Sequence, residues 1–196
     1  MPKRKAHPGP EPVTVAAAKL AASIDADVTA WDTEIAVLIS AAREQAEHIT
    51  GRTYRTTVWR EELTDWPAVD DAIRVYAATA VAVSYWTGSA WATMAPGTVD
   101  FAPGGIGGCG TCVAPVSGIW PSLGDRSLGA RVLIDLTAGP AVPTPEGGSV
   151  EIPAVVDRYI KAHVAAWRKN PEATASASLG AHPLLDRLLD SERLWA

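Results

Sequence analysis

The stretch Thr29 to Arg60, TAWDTEIAVLISAAREQAEHITGRTYRTTVWR, decides how the rest of the chain is organised. Ile35, Ile39, Ala42, Ala46 and Ile49 recur at helical spacing, and Leu38 widens the stripe. Glu34, Arg43, Glu44, Glu47 and His48 fall on the opposite, solvent-facing side of that helix. Thr29 is placed to cap its amino end, with Asp32 as the partner of a capping box. Gly51 stands where a left-handed C′ residue closes a helix. From Tyr54 to Arg60 the residues turn β-branched and aromatic, which predicts a strand. One long helix therefore turns at Gly51 into a strand.

Upstream, residues 1–12 are Pro-rich and charged and read as a flexible, disordered or extended arm. Its Lys3, Arg4 and Lys5 suit a solubilising tail, or a contact with nucleic acid or an acidic partner. Thr14 caps a short helix over 14–22, followed by a polar connection through Val28. Downstream, Ile73 to Trp86 reads as one or two strands, and Thr87-Gly88-Ser89 as the turn of a hairpin reaching Trp91. Val99–Phe101 is a further short strand, and Pro103 to Thr111 a glycine loop. Val113, Val116, Ile119 and Trp120 read as extended up to Pro121, and Leu128 to Thr137 is a strand. A Pro/Gly loop runs from Ala138 to Gly148.

Pro153 opens a helix over 153–169 with Val156, Ile160, His163, Val164 and Trp167 on one side, stopped at Asn170-Pro171. An Ala/Ser-rich tether, 172–181, leads to Pro183–Trp195 (PLLDRLLDSERLW), a short helix with a wide apolar face. That tail either folds back on its own domain or docks on a partner. The fold class is α+β: a bundle of about four helices with an antiparallel β-rich insertion over about 52–138. One domain, 13–170, lies between the arm 1–12 and a tethered carboxyl-terminal arm, 171–196.

A net charge of −5 argues against a protein that grips nucleic-acid phosphates. No apolar run approaches the ~18 residues that cross a membrane, and no apolar region follows the basic start as in a secretory signal. With two cysteines and no signal, synthesis in a reducing cytosol is expected. Eight tryptophans against one phenylalanine supply large contact areas for a core, an interface or both.

Catalytic chemistry finds little footing. Gly105 to Gly110 matches G-x-G-x-x-G, but Val113-Ala114-Pro115 opens no helix after it. Cys109-Gly110-Thr111-Cys112 is a C-x-x-C without a helix N-terminus to activate it or a second cysteine pair to complete a zinc site. Cys109 and Cys112 remain weak metal or dithiol candidates. His163 on an apolar helix face reads as a packed histidine. Glu61-Glu62 and Asp70-Asp71 are sequence neighbours, which point to opposite faces of a strand. No catalytic residue and no cofactor is assigned.

Ala41, Ala42, Arg43, Glu47, Thr50, Gly51, Arg52 and the following Trp59 resemble a pattern of the head–tail connector (adaptor) proteins of tailed bacteriophages, of the HK97-type and phiE125-type necks. The resemblance extends along the chain. Val13-Thr14 with Lys19, Val83 with Tyr85-Trp86, Leu133 to Gly139, and Ile152-Pro153-Ala154-Val155 through Trp167-Arg168 fall in the family's order, as do His182, Pro183, Leu184, Leu185 and Leu188. Ile152 stands where a Val is usual, the two-cysteine glycine loop lies outside the pattern, and Arg168-Lys169-Asn170-Pro171 departs from it.

The resemblance implies a structural virion protein assembled in the host cytoplasm. A ring of about twelve copies would sit under the portal, with DNA passing through its lumen and the next neck or tail-completion protein below. The tail residues Leu184, Leu185, Leu188, Leu189, Leu194 and Trp195 are the portal-docking candidates. Tyr85, Trp86 and Trp91 are the candidates for ring or downstream contacts. The rival readings are a small dithiol or zinc domain built on Cys109 and Cys112 and, within the neck, a stopper or tail terminator.

Overall fold

The long helix forms at Asp32–Thr50 (α2), and Gly51 closes it at φ 72° with its N–H donating to the Glu47 carbonyl. The computed structural model describes residues 1–104, 110–140, 151–169 and 183–194, and the side chains of 183 and 184 also lie outside that set. The fold is α+β, with four helices and antiparallel sheets among the described residues.

The expected single domain resolves into two compact units. The helical unit comprises Pro10–Arg55 and Pro140–Leu194. It packs Val15–Ala21 (α1), α2, Ala154–Lys169 (α3) and the tail, Pro183–Asp186 (α4) continued by a 3₁₀ turn over Arg187–Glu192. Its core takes Ile35, Ile39, Ala42 and Ala46 from α2, and Val156, Tyr159, Ile160, Val164 and Trp167 from α3. The two apolar stripes face each other, as their spacing requires.

The β unit comprises Met1–Gly9 and Thr56–Gly139. Its five-stranded sheet has the order β1-β2-β7-β3-β4, all antiparallel: Lys3–Ala6, Thr57–Leu63, Val132–Ala138, Ala78–Trp86 and Trp91–Thr93. Strand β7 is central, and its alternation puts Val132, Ile134, Leu136 and Ala138 into the core. Val99–Pro103 (β5) and Thr111–Pro115 (β6) pair as a second, two-stranded sheet. The unit divides off because the insertion builds its own apolar core around β7.

Several expectations change. The amino-terminal arm is not loose: Lys3–Ala6 is a strand paired with β2. Its cations meet carboxylates across the sheet, Lys3 to Glu62 at 3.3 Å and Lys5 to Asp135 at 2.7 Å, while Arg4 lies 5.3 Å from the Trp59 ring centroid. Thr29 does not cap α2; it begins a 3₁₀ turn, Thr29–Trp31, and Asp32 accepts from Lys19 Nζ at 2.9 Å instead. Strand β2 starts at Thr57, because Tyr54 belongs to the helical core. Ile73 alone makes an isolated bridge to Thr111 and residues 74–77 join no strand; Ile73 and Val75 are buried there, so their apolar run is core without a ladder. Strand β6 ends at Pro115, leaving Val116 and Ile119 exposed. Residues 105–109, 141–150 and 170–182, which include the glycine loop, the Pro/Gly loop and the tether, lie outside the described residues.

Candidate interaction surfaces

The motif shared with the adaptor pattern is architectural. Arg43 and Glu47, expected on the solvent side, are 1% and 6% exposed. Arg43 Nη1 donates to Glu47 Oε2 at 2.7 Å, and Arg43 Nε donates to Glu11 Oε2 at 2.8 Å. Glu11 Oε1 in turn accepts from Arg55 Nη1 at 2.8 Å, and Glu47 Oε1 accepts the Tyr54 N–H at 2.9 Å. One buried guanidinium thus joins the entry of the helical unit to the turn after α2. Thr50 and Arg52 hold the other end of the chain: the Thr50 carbonyl accepts the Leu194 N–H, and Arg52 Nε donates to the Glu192 carbonyl at 2.7 Å. Lys19, 3% exposed, donates to the Ala26 carbonyl and to Asp32, both at 2.9 Å. Periodicity alone could not place these charges, since their partners are distant in sequence.

Among the portal-docking candidates, Leu189 is fully buried in the helical core, where it packs the tail against its own chain. Burying such a side chain contributes roughly 2–3 kcal/mol. Leu185, Leu188 and Leu194 are half-buried, and Leu194 lies against Gly51. Tyr159 adds a hydrogen bond to Asp186 at 3.2 Å; burial, then the Asp186 charge and that bond, push its hydroxyl pKa up. The Leu184 side chain and Trp195 lie outside the described residues.

The hairpin candidates come together on the β unit. Trp86 and Trp91 pair across β3 and β4 edge to face, with ring centroids 5.9 Å apart. Arg126 covers both rings, at 5.2 and 5.3 Å. Gly124 approaches the Gly88 backbone so closely that any side chain there would strike it. Tyr85 turns to a different partner, Trp66, at 5.7 Å, and Trp66 stacks parallel on Trp120 at 4.3 Å. Beside the hairpin lies an open groove of about 510 Å³ lined by uncharged residues, including Tyr85, Met94, Val116 and Ile119. Val116 is 64% exposed and Ile119 77%. Sequence reading missed both, because it placed them in a continuing strand.

Cys112 is a buried cysteine on β6, opposite Ala102, with no disulfide partner among the described residues; Cys109 lies outside them. Among the described residues, no group of three or more His, Cys, Asp or Glu side chains is placed to hold a metal ion, and no helix is long and apolar enough to cross a membrane. His163 packs between Tyr159 and Trp167 in the helical core.

No protein-family model matches the sequence, and no curated protein matches it. Solved structures do match in fold. A chain in the neck of the empty gene transfer agent (GTA) particle computed with C6 symmetry is 19% identical, at a TM-score of 0.73. A chain in the virion of the native particle is 19% identical at 0.71. One in the native neck computed with C12 symmetry is 17% identical at 0.66. Each alignment covers 100% of this chain and 96% of the other. The helical unit and its inserted β unit thus form an architecture found in the particles of gene transfer agents.

Proposed function

We propose that this chain is a structural neck protein of a phage-like particle, a head–tail adaptor. Copies join head to tail into a ring between the portal and the next neck or tail-completion protein, and DNA passes through the lumen. The observation that carries this reading is the end-to-end likeness to the GTA chains, two of them from necks computed with C6 and C12 symmetry. A twelve-membered ring satisfies both symmetries.

Ring closure needs two different faces on each subunit. The exposed apolar groove on the Tyr85 side of the hairpin and the Trp86–Trp91 pair are the candidates for ring or downstream contacts. The carboxyl-terminal arm, anchored through Leu189, offers Leu185, Leu188 and Leu194 to the portal. A net charge of −5 suits a lumen through which DNA slides without being held. The mechanism is binding, without bond chemistry, in the neck of a virion assembled in the host cytoplasm.

The test is co-sedimentation and negative-stain imaging of the purified chain with portal. A ring stacked on the portal supports the adaptor; a ring that binds only tail components points to a stopper or tail terminator. The dithiol or zinc reading is separated by replacing Cys109 and Cys112 with serine. Assembly unchanged by that double replacement removes it, and loss of bound zinc together with assembly would favour it.

A further inference from the structure

We propose that neighbouring copies in the ring meet through charge: the Trp86–Trp91–Arg126 shelf on one copy receives the acidic loop between α1 and α2 of the next. This contact rests on the ring reading and names its two faces.

The receiving face carries an uncompensated cation. Arg126 is exposed, spread over two indole rings, and donates one N–H to the Ala130 carbonyl at 2.8 Å. It has no carboxylate partner among the described residues. Stacking fixes a guanidinium while leaving further N–H donors for a carboxylate.

The inserting face carries the complement. From Leu20 to Glu34 the chain holds Asp25, Asp27, Asp32 and Glu34 and no basic residue, and a cation from a neighbouring helix, Arg168, lies over the Trp31 ring at 4.0 Å. Lys19 neutralises Asp32 and pins the Ala26 carbonyl from beneath, so the loop is held in one shape before it binds. Asp25, Asp27 and Glu34 are exposed and make no ion pair among the described residues. Leu20, 81% exposed, and Val28, 37% exposed, stand among them as apolar knobs. One face belongs to the β unit and the other to the helical unit, which gives the unlike pair that a head-to-tail ring requires.

The experiment measures ring formation of the full chain by mass photometry and negative-stain imaging over a concentration series, with and without portal. Arg126→Glu, and separately Asp25→Lys with Asp27→Lys, should each raise the concentration needed for rings at least tenfold. Combining the reversals should restore it. Arg126→Gln keeps a planar group on the indoles and removes the charge; it should weaken assembly with an unchanged melting temperature, which separates contact from folding. Rings that ignore the single reversals, or that the combination fails to restore, overturn this contact and leave the ring reading standing. A wild-type chain that forms no ring, alone or on portal, overturns both.

Discussion

Arg43 and Glu47, one helical turn apart on α2, face each other across 2.7 Å inside the helical core, where both are almost wholly out of water. Such a pair contributes little over an apolar substitute, but breaking it leaves buried polar groups with fewer partners. Glu11 and the Tyr54 N–H bind the same pair, and Arg43 Nη2 also donates to Ser40 and Glu44, so the pair ties the entry of the chain into α2 to its exit.

Glu47→Ala leaves Arg43 paired with Glu11 but removes a charged hydrogen bond and the acceptor of the Tyr54 N–H, and should destabilise the protein by roughly 1–3 kcal/mol in chemical denaturation. Arg43→Met combined with Glu47→Leu should cost less than the sum of the two single replacements. Additive losses would mean that the two groups act independently.

Gly51 holds φ 72°, a conformation that costs other residues about 1–2 kcal/mol. An added Cβ there would meet Leu194 at an ordinary 3.7 Å, so the penalty is confined to the backbone. Gly51→Ala should lower stability by that amount, and Gly51→Asn by less, in thermal or chemical melts.

Asp135 provides a pH test on the sheet. Burial raises its carboxyl pKa, but hydrogen bonds from Arg60 Nε at 2.7 Å and from Lys5, with their charges, hold it below the usual range. A depressed folded-state pKa stabilises the protein above the unfolded value, about 3.9, and that contribution is lost as pH falls through the folded value. Asp135→Asn should cost roughly 1–3 kcal/mol at pH 7. The gap to wild type should close below about pH 4 in stability curves. A gap that stays constant on the acid side would contradict the assignment.

What the sequence revealed followed periodicity. The stripe Ile35-Ile39-Ala42-Ala46 and the alternation of Val132, Ile134, Leu136 and Ala138 identified core faces, and Gly51 identified a helix end. Charges with distant partners were read wrongly: Arg43 and Glu47 were placed in solvent because Glu11 and Tyr54 could not be seen beside them. The Lys3–Ala6 strand was missed because its stabilising partners, Glu62 and Asp135, lie far along the chain. Of the candidate surfaces, the Trp86–Trp91 pair was legible from its hairpin turn, whereas Arg126 above it was not.

The proposed portal contact and the packing of the tail fall on different leucines. Leu189→Ala removes a fully buried side chain and should cost about 2–5 kcal/mol. Leu188→Asp, at a half-buried position, should leave the melting temperature within a few degrees of wild type and weaken binding to portal at least tenfold in co-sedimentation. Equal portal binding by Leu188→Asp would remove the tail from the portal contact.

The most direct measurement is negative-stain imaging of the purified chain mixed with portal, with particle masses determined in parallel. A closed ring of about twelve subunits seated on the portal is the expected result. A chain that stays monomeric and never joins the portal would contradict the account.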